Sequence, residues 1–231
     1  MSTSYPIYRD ALRVAAITPQ SDNRKTGDME QLYILPVAES PNKAITGGRD
    51  AVVCGDCPLR SRAGGGSGAC YVVTGQGPRV VWETVKDKPL QQATATGKAL
   101  RLGAYGDPAF LPLAIVRKLL STRKRWTGYT HQWHKRSKQW SKYIMASIDN
   151  QMASKQGLTS KELKSKAQAK GYRTFRIIAD QAELDADEIL CPNYTTGVQC
   201  ADCGLCDGSK GHNDKRKSIA IIVHGSSKNQ Y

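Results

Sequence analysis

A chain of 231 residues, 39% of them hydrophobic, with a mean hydropathy of −0.49, is long enough to bury a core as one domain or two small ones. No stretch approaches the roughly 18 consecutive apolar residues of a membrane helix, so no membrane partner is expected and the protein reads as cytoplasmic. The formal net charge of +14 draws polyanions at long range without saying which.

Residues 1–31 read as an N-terminal arm without an assignable element. Residues 32–190 carry the regular pattern, which starts with a strand at Leu32–Val37 and a turn-rich stretch, Asn42–Gly48, leading into Ala51–Val53. A flexible glycine-rich loop is expected at 61–68. From Ala99 onward strands and helices take turns. Leu100–Tyr105 reads as a strand stopped by Gly106-Asp107-Pro108, and Ala109–Ser121 as a helix with Phe110, Leu113, Val116 and Leu120 near helical period. Trp126–His131 is a second strand, Lys135–Ser141 a basic helical stretch, and Tyr143–Ile148 a third strand ending at Asp149-Asn150. Thr159 and Glu162 form a capping box for a helix through Lys170, which Gly171 ends. Tyr172–Ala179 is again strand-like. Residues 191–231 hold a cysteine-rich loop and a last strand, Ile219–His224. Such alternation predicts parallel strands covered by helices, as an open sheet or a full or partial barrel, with the chemistry on loops after the carboxyl ends of the strands.

The seven cysteines fall into a group of three (Cys54, Cys57, Cys70) and a group of four (Cys191, Cys200, Cys203, Cys206). An odd count, the lack of an apolar segment behind a basic N-terminus, and C-x2-C spacing favour metal over disulfides. Four thiolates close the coordination shell of an ion or cluster, whereas three leave a position open. No histidine is close in sequence to the first group. It therefore suits a 4Fe–4S cluster with one open iron, with zinc plus a remote histidine as the rival. The second group accepts a second 4Fe–4S cluster or zinc, and its three cysteines at successive three-residue intervals favour the cluster.

Between Asp107 and Asp149 there is no acidic residue, while Arg117, Lys118, Arg123, Lys124, Arg125, Lys135, Arg136, Lys138 and Lys142 all fall there. Trp126, Tyr129, Trp133, Trp140 and Tyr143 are interleaved with them. Residues 117–143 are thus the candidate surface for DNA or RNA, with aromatic rings free to stack on bases; the alternative is a solvated basic face whose tryptophans anchor a helix to the core.

Several motifs in order carry a resemblance: Asn42-Lys43 with Thr46-Gly47, Cys54-x2-Cys57-Pro58, Cys70-Tyr71, Tyr105-Gly106-Asp107-Pro108, Tyr129-Thr130-His131, then Cys191-Pro192 and Cys200-x2-Cys203-Gly204-x-Cys206. Over residues 42–225 the chain resembles a group of phage-encoded proteins that are similar in turn to radical S-adenosylmethionine (SAM) enzymes. That resemblance implies a partial (β/α) barrel of about six parallel strands with a C-terminal four-cysteine metal loop. It also implies a 4Fe–4S cluster on the three cysteines after the first strand, SAM on its open iron, and Gly106 and Asp107 against the SAM amino group. The spacing C-x2-C-x12-C departs from the C-x3-C-x2-C usual in those enzymes. Tyr71 and Asn150 are further cofactor-binding candidates, and Asp107 and His131 the catalytic ones. The function expected is an iron–sulfur, radical-SAM-like enzyme, phage- or plasmid-encoded, acting on nucleic acid in the host cytoplasm. The alternative is a non-catalytic, zinc-stabilised nucleic-acid-binding or host-interaction protein. No Ser-His-Asp order, P-loop or paired-carboxylate motif points to a hydrolase or kinase.

Overall fold

Nine short apolar runs pair into one sheet in a computed structural model that describes residues 3–225 and 228–231. The strands are β1 (Tyr5–Arg9), β2 (Arg13–Thr18), β3 (Met29–Pro36), β4 (Ala99–Tyr105), β5 (Trp126–Thr130), β6 (Met145–Ile148), β7 (Thr174–Ile178), β8 (Glu188–Leu190) and β9 (Ser218–Ile222). Their spatial order is β1-β2-β3-β4-β5-β6-β7-β9-β8. β1, β2 and β3 are antiparallel, and every pairing from β3 onward is parallel. The sheet is open, with β1 and β8 as its edges.

Eight helices join these strands: α1 (Pro41–Thr46), α2 (Ala51–Cys54), α3 (Gly77–Val85), α4 (Leu113–Leu120), α5 (Asn150–Lys155), α6 (Ser160–Ala169), α7 (Pro192–Thr196) and α8 (Cys200–Cys203). Strand alternation decides what they cover. Leu32 and Ile34 of β3, Leu100 and Leu102 of β4, and Ala146 and Ile148 of β6 share one core with Val81 and Val85 of α3, Val116, Leu119 and Leu120 of α4, and Leu163 and Ala167 of α6. The intervening residues, Arg101, Thr127, Tyr129, Ser147, Phe175 and Ile177 among them, line cavities instead. One face of the sheet is therefore sealed by helices and the alternate side chains are left for the site.

Five expectations change. Seven strands run parallel rather than about six, and residues 5–18, unassigned from sequence, add two antiparallel ones. Asn42–Gly48 is mostly helix, because Pro41 sits preorganised at its first turn and the glycines come only at its end. The helix from Ala109 starts as a 3-10 turn, Pro108–Phe110, and Pro112 delays α4 to Leu113. Lys135–Ser141 is not an α-helix but parts of two 3-10 turns, Gln132–Lys135 and Lys138–Lys142. Trp133 and Trp140 are both buried, one in each turn. Finally, the glycine-rich loop is tied down: Ser67 N–H donates to Pro58 O at 2.9 Å, Gly68 N–H to Arg60 O at 2.7 Å and Cys70 N–H to Leu59 O at 2.9 Å.

Candidate metal centres

The three-cysteine group is assembled by one loop folded back on itself. Cys54 ends α2, and Gly55 turns the chain with φ +61° toward Cys57. Arg60 then staples the loop, pairing with Asp50 at 2.8 Å and donating to Gly55 O at 2.7 Å. The Leu59–Cys70 backbone bond brings the third thiol home. Cys54, Cys57 and Cys70 line a single cavity of about 150 Å³ together with Gly106, Asp107 and His131. Burial pushes the Cys54 thiol well up, as do the neighbouring Cys57 and Cys70, and burial lifts Cys70 to about 11.

Asp107, His131 and Asp149 follow β4, β5 and β6, so the group sits at the carboxyl ends of the parallel strands. His131 Nε2 lies 3.9 Å from Cys57 Sγ and 3.3 Å from Asp149 Oδ2. Burial works against its charged form, but the Cys57 thiol and Asp149 outweigh this and hold its pKa well above the ordinary value. Asp107 is buried and engaged. Its Oδ1 accepts from Ala109 N–H at 2.9 Å, and its Oδ2 from Thr130 Oγ1 at 3.0 Å and His131 N–H at 2.9 Å. Burial raises its pKa against those hydrogen bonds. Its carboxylate thus organises the two loops that carry Pro108 and His131.

The remaining cofactor candidates separate. Tyr71 lines this cavity and the adjoining one, and its Oη accepts from the Arg101 guanidinium at 2.9 Å. Asn150 does not join them: it lies exposed at the start of α5, where its N–H meets Tyr231 Oη at 3.2 Å.

The four-cysteine group crosses the same face of the sheet. Cys191 follows β8, its N–H bonded to Ala220 O at 2.8 Å. Cys200 and Ala201 N–H groups donate to Lys25 O and Thr26 O, just before β3, at 3.0 and 2.9 Å. Arg125, just before β5, donates to Asp202 O at 2.6 Å, and Gly128 N–H to Cys206 O at 3.0 Å. This loop therefore reaches the amino ends of β3 and β5. Burial raises the Cys206 and Cys200 thiols, and the other thiols of the group push the same way, so all four share one electrostatic neighbourhood. The Tyr129 hydroxyl works against this rise at Cys206. Among the described residues, no three His, Cys, Asp or Glu side chains are drawn together closely enough to hold a single metal ion.

Arg101 is the residue that sequence reading misses. It half-emerges from β4 between the buried Leu102 and Leu100, and a lone cation in an otherwise apolar strand is the signal that marks it. The aromatic segment is also redistributed. Trp133 and Trp140 are core residues, and Trp126 Nε1 is tied to Tyr143 O at 2.8 Å, so these indoles are anchors rather than stacking platforms. Arg123 is buried against Glu30 at 2.5 Å, whereas Lys138 and Lys142 are exposed. Comparison with family models, curated proteins and solved structures finds no match to the chain. No helix among the described residues is long and apolar enough to cross a membrane.

Proposed function

We propose that the protein is an iron–sulfur protein acting as a radical-SAM-like enzyme, with its reactive cluster on Cys54, Cys57 and Cys70. The observation that carries this reading is the convergence of those thiols with His131 and Asp107 on one cavity at the carboxyl ends of parallel strands. The donor set fits: three soft thiolates leave one iron open, and buried thiols that raise one another's pKa are relieved when a cationic centre takes their charge. Zinc with His131 as the remote fourth ligand is the rival at this site, since His131 Nε2 lies 3.9 Å from Cys57 Sγ. Strand order supports a partial barrel, because β3 to β7 follow chain order without the reversal of a doubly wound sheet.

Cys54, Cys57 and Cys70 would hold such a cluster, which, once reduced by an external reductant, would supply the electron for reductive cleavage of SAM. The chain's own residues do the rest. Asp107 fixes the backbone of His131, Asp149 orients the imidazole toward Cys57, and Phe175, Ile177 and Leu59 keep water out. The four-cysteine loop takes an auxiliary 4Fe–4S cluster or zinc.

Anaerobic reconstitution with iron and sulfide should give iron and sulfide on the protein, a brown visible spectrum, and 5′-deoxyadenosine once SAM and a strong reductant are added. Zinc without iron sinks the cluster assignment, and a loaded protein that yields no 5′-deoxyadenosine under any reductant removes the enzymatic one.

A second reading, nucleic-acid binding, is favoured by one groove. Exposed Lys138 and Lys142 line it with His212, Lys215 and Lys217, beside the acidic Asp187 and Asp214, where the chain enters β6, β7 and β9. Phosphate contacts there predict affinity that falls steeply with salt, by about 0.9 log unit per contact for each tenfold rise with duplex DNA. A flat salt response overturns it.

A further inference from the structure

The face of the sheet left open by the helices holds a second chamber, about 120 Å³, adjoining the three-cysteine cavity and sharing Leu59, Tyr71, Tyr129, Phe175 and Ile177 with it. Its other end is lined by Cys191 and Cys200, so it lies between the two thiol groups. Its inner walls are mainly aromatic and aliphatic, and its polar lining includes Arg101, Lys25, Thr127 and His224.

Three other arginines of this chain have close carboxylate partners, Arg60 with Asp50 at 2.8 Å, Arg123 with Glu30 at 2.5 Å and Arg176 with Glu188 at 2.5 Å, while Arg173 and Arg9 rest chiefly on backbone carbonyls. Among the described residues, Arg101 has one side-chain hydrogen bond, to the Tyr71 hydroxyl, and no carboxylate partner. A half-buried guanidinium without an anion carries part of a desolvation cost, and its planar fork matches a carboxylate or phosphate bidentately. Lys25 stands exposed on the same lining and His224 stacks against Tyr71 with ring centroids 5.6 Å apart, so a second cation and a second aromatic face the same space. A cavity of about 150 Å³ accommodates benzene, so at about 120 Å³ the chamber takes a ring of that size by extending into the adjoining cavity of about 150 Å³.

We infer that this chamber binds a small compound with a planar or apolar body and one carboxylate or phosphate, the anionic group being held by Arg101. The inference rests on the proposed function only in naming that compound the substrate, because its body would then lie beside the cavity of Cys54, Cys57 and Cys70. The rival role for Arg101 is countercharge to the four-cysteine group, since the Cys200 thiol lies within its electrostatic reach.

Titration calorimetry on the full chain with benzoate, phenyl phosphate, inorganic phosphate and benzyl alcohol tests this, with metal content measured on every sample. Benzoate or phenyl phosphate should saturate, and whichever binds better tells carboxylate from phosphate. Arg101→Met should weaken that binding about ten- to a hundredfold, as loss of charged hydrogen bonds does, with Arg101→Lys intermediate. Should Arg101→Met not fold, Thr127→Asp serves: Thr127 is the direct β5 neighbour of Arg101 and lines the chamber, so its carboxylate would occupy the guanidinium and abolish anion binding. Benzyl alcohol binding as well as benzoate, equal binding by wild type and Arg101→Met, or metal loss from Arg101→Met with anion binding intact would each overturn the inference. Arg101-dependent binding by a protein that never cleaves SAM leaves the chamber standing and removes the radical chemistry; SAM cleavage without Arg101-dependent binding does the reverse.

Discussion

The two cysteine groups face the same side of one sheet but are held by different means. Around Cys54, Cys57 and Cys70 the fixing contacts run largely through side chains: Arg60 to Asp50, Asp107 to Thr130 and to the His131 backbone, His131 to Asp149. Around Cys191, Cys200, Cys203 and Cys206 they run largely through the main chain, from Lys25, Thr26, Gly128 and Ala220. The first scaffold puts the acidic groups Asp107 and Asp149 and the imidazole of His131 beside the cavity, whereas the side chains that hold the second loop, Arg125 and Arg173, bind its backbone carbonyls. The first arrangement suits chemistry and the second suits anchoring.

The contrast is broken most directly by serine substitution. On the proposal that the second group holds a metal, Cys206→Ser should remove it and lower stability by more than about 4 kcal/mol, since binding free energy at such a site is also folding energy. Cys57→Ser should lose iron from the first site while the unfolding midpoint stays within a few degrees. Thermal unfolding with metal analysis of both variants checks this, and equal destabilisation would erase the distinction.

A matched pair of glycines sharpens it. Gly208, just past the four-cysteine loop, has φ +87°, and an added Cβ would meet Ser141 O and Tyr143 N at 2.7 Å, both backbone atoms that cannot step aside. Gly65, in the three-cysteine loop, has a similar φ of +79° but nothing within 4 Å. Gly65→Ala should cost only the left-handed strain, about 1–2 kcal/mol. Gly208→Ala adds the clash, for a total of about 3 kcal/mol or more. Denaturant midpoints compare the two, and equal losses would mean that the 208 turn is no more constrained than the 65 turn.

A smaller effect is expected at Asp107. Asparagine keeps the size but turns an amide donor toward two donors, so Asp107→Asn should cost about 1–3 kcal/mol and loosen His131. Reconstituted iron content should stay near wild type, because no thiol is touched. Iron loss as complete as in Cys57→Ser would instead make Asp107 part of the metal-binding set.

What the sequence disclosed depends on whether the cause was local. Thr159 and Glu162 form the capping box with contacts of 3.2 and 2.8 Å, and Gly171 follows the helix with φ +90°, because caps and turns are decided within four residues. The strands at β3 to β7 and β9 were legible from apolar runs. β8 has three residues, and its place beside β9 depends on pairing across the four-cysteine loop, which no local pattern announces. The tryptophans at 126, 133 and 140 have a spacing that fits stacking and burial equally, and long-range packing chose burial for 133 and 140. Asp107 is a candidate catalytic and cofactor-binding residue from its turn, but its hydrogen bonds to Thr130 and to His131 N–H, from the next strand and its loop, have no local signal.

The subtlest difference between the two regions is in acid. Near the three-cysteine site, burial raises the Asp107 pKa, so protonating it as pH falls relieves a charge that burial disfavours. Beyond the four-cysteine loop, Asp214 behaves oppositely. Arg216 bonds its carboxylate at 2.7 Å, Lys210 N–H donates to it at 2.8 Å, and its pKa is held well below the carboxylate range. A depressed folded pKa contributes stability that is present above the unfolded value, about 3.9, and is lost as pH falls toward the folded one. Wild type should therefore be more stable than Asp214→Asn at pH 6, and the gap between their urea midpoints should narrow steadily below about pH 4. A gap that stays constant from about pH 6 to 3 would mean that the ion pair does not fasten this segment. A gap that narrows while Asp107→Asn shows no matching acid-induced convergence would locate acid sensitivity at the backbone-scaffolded end of the sheet.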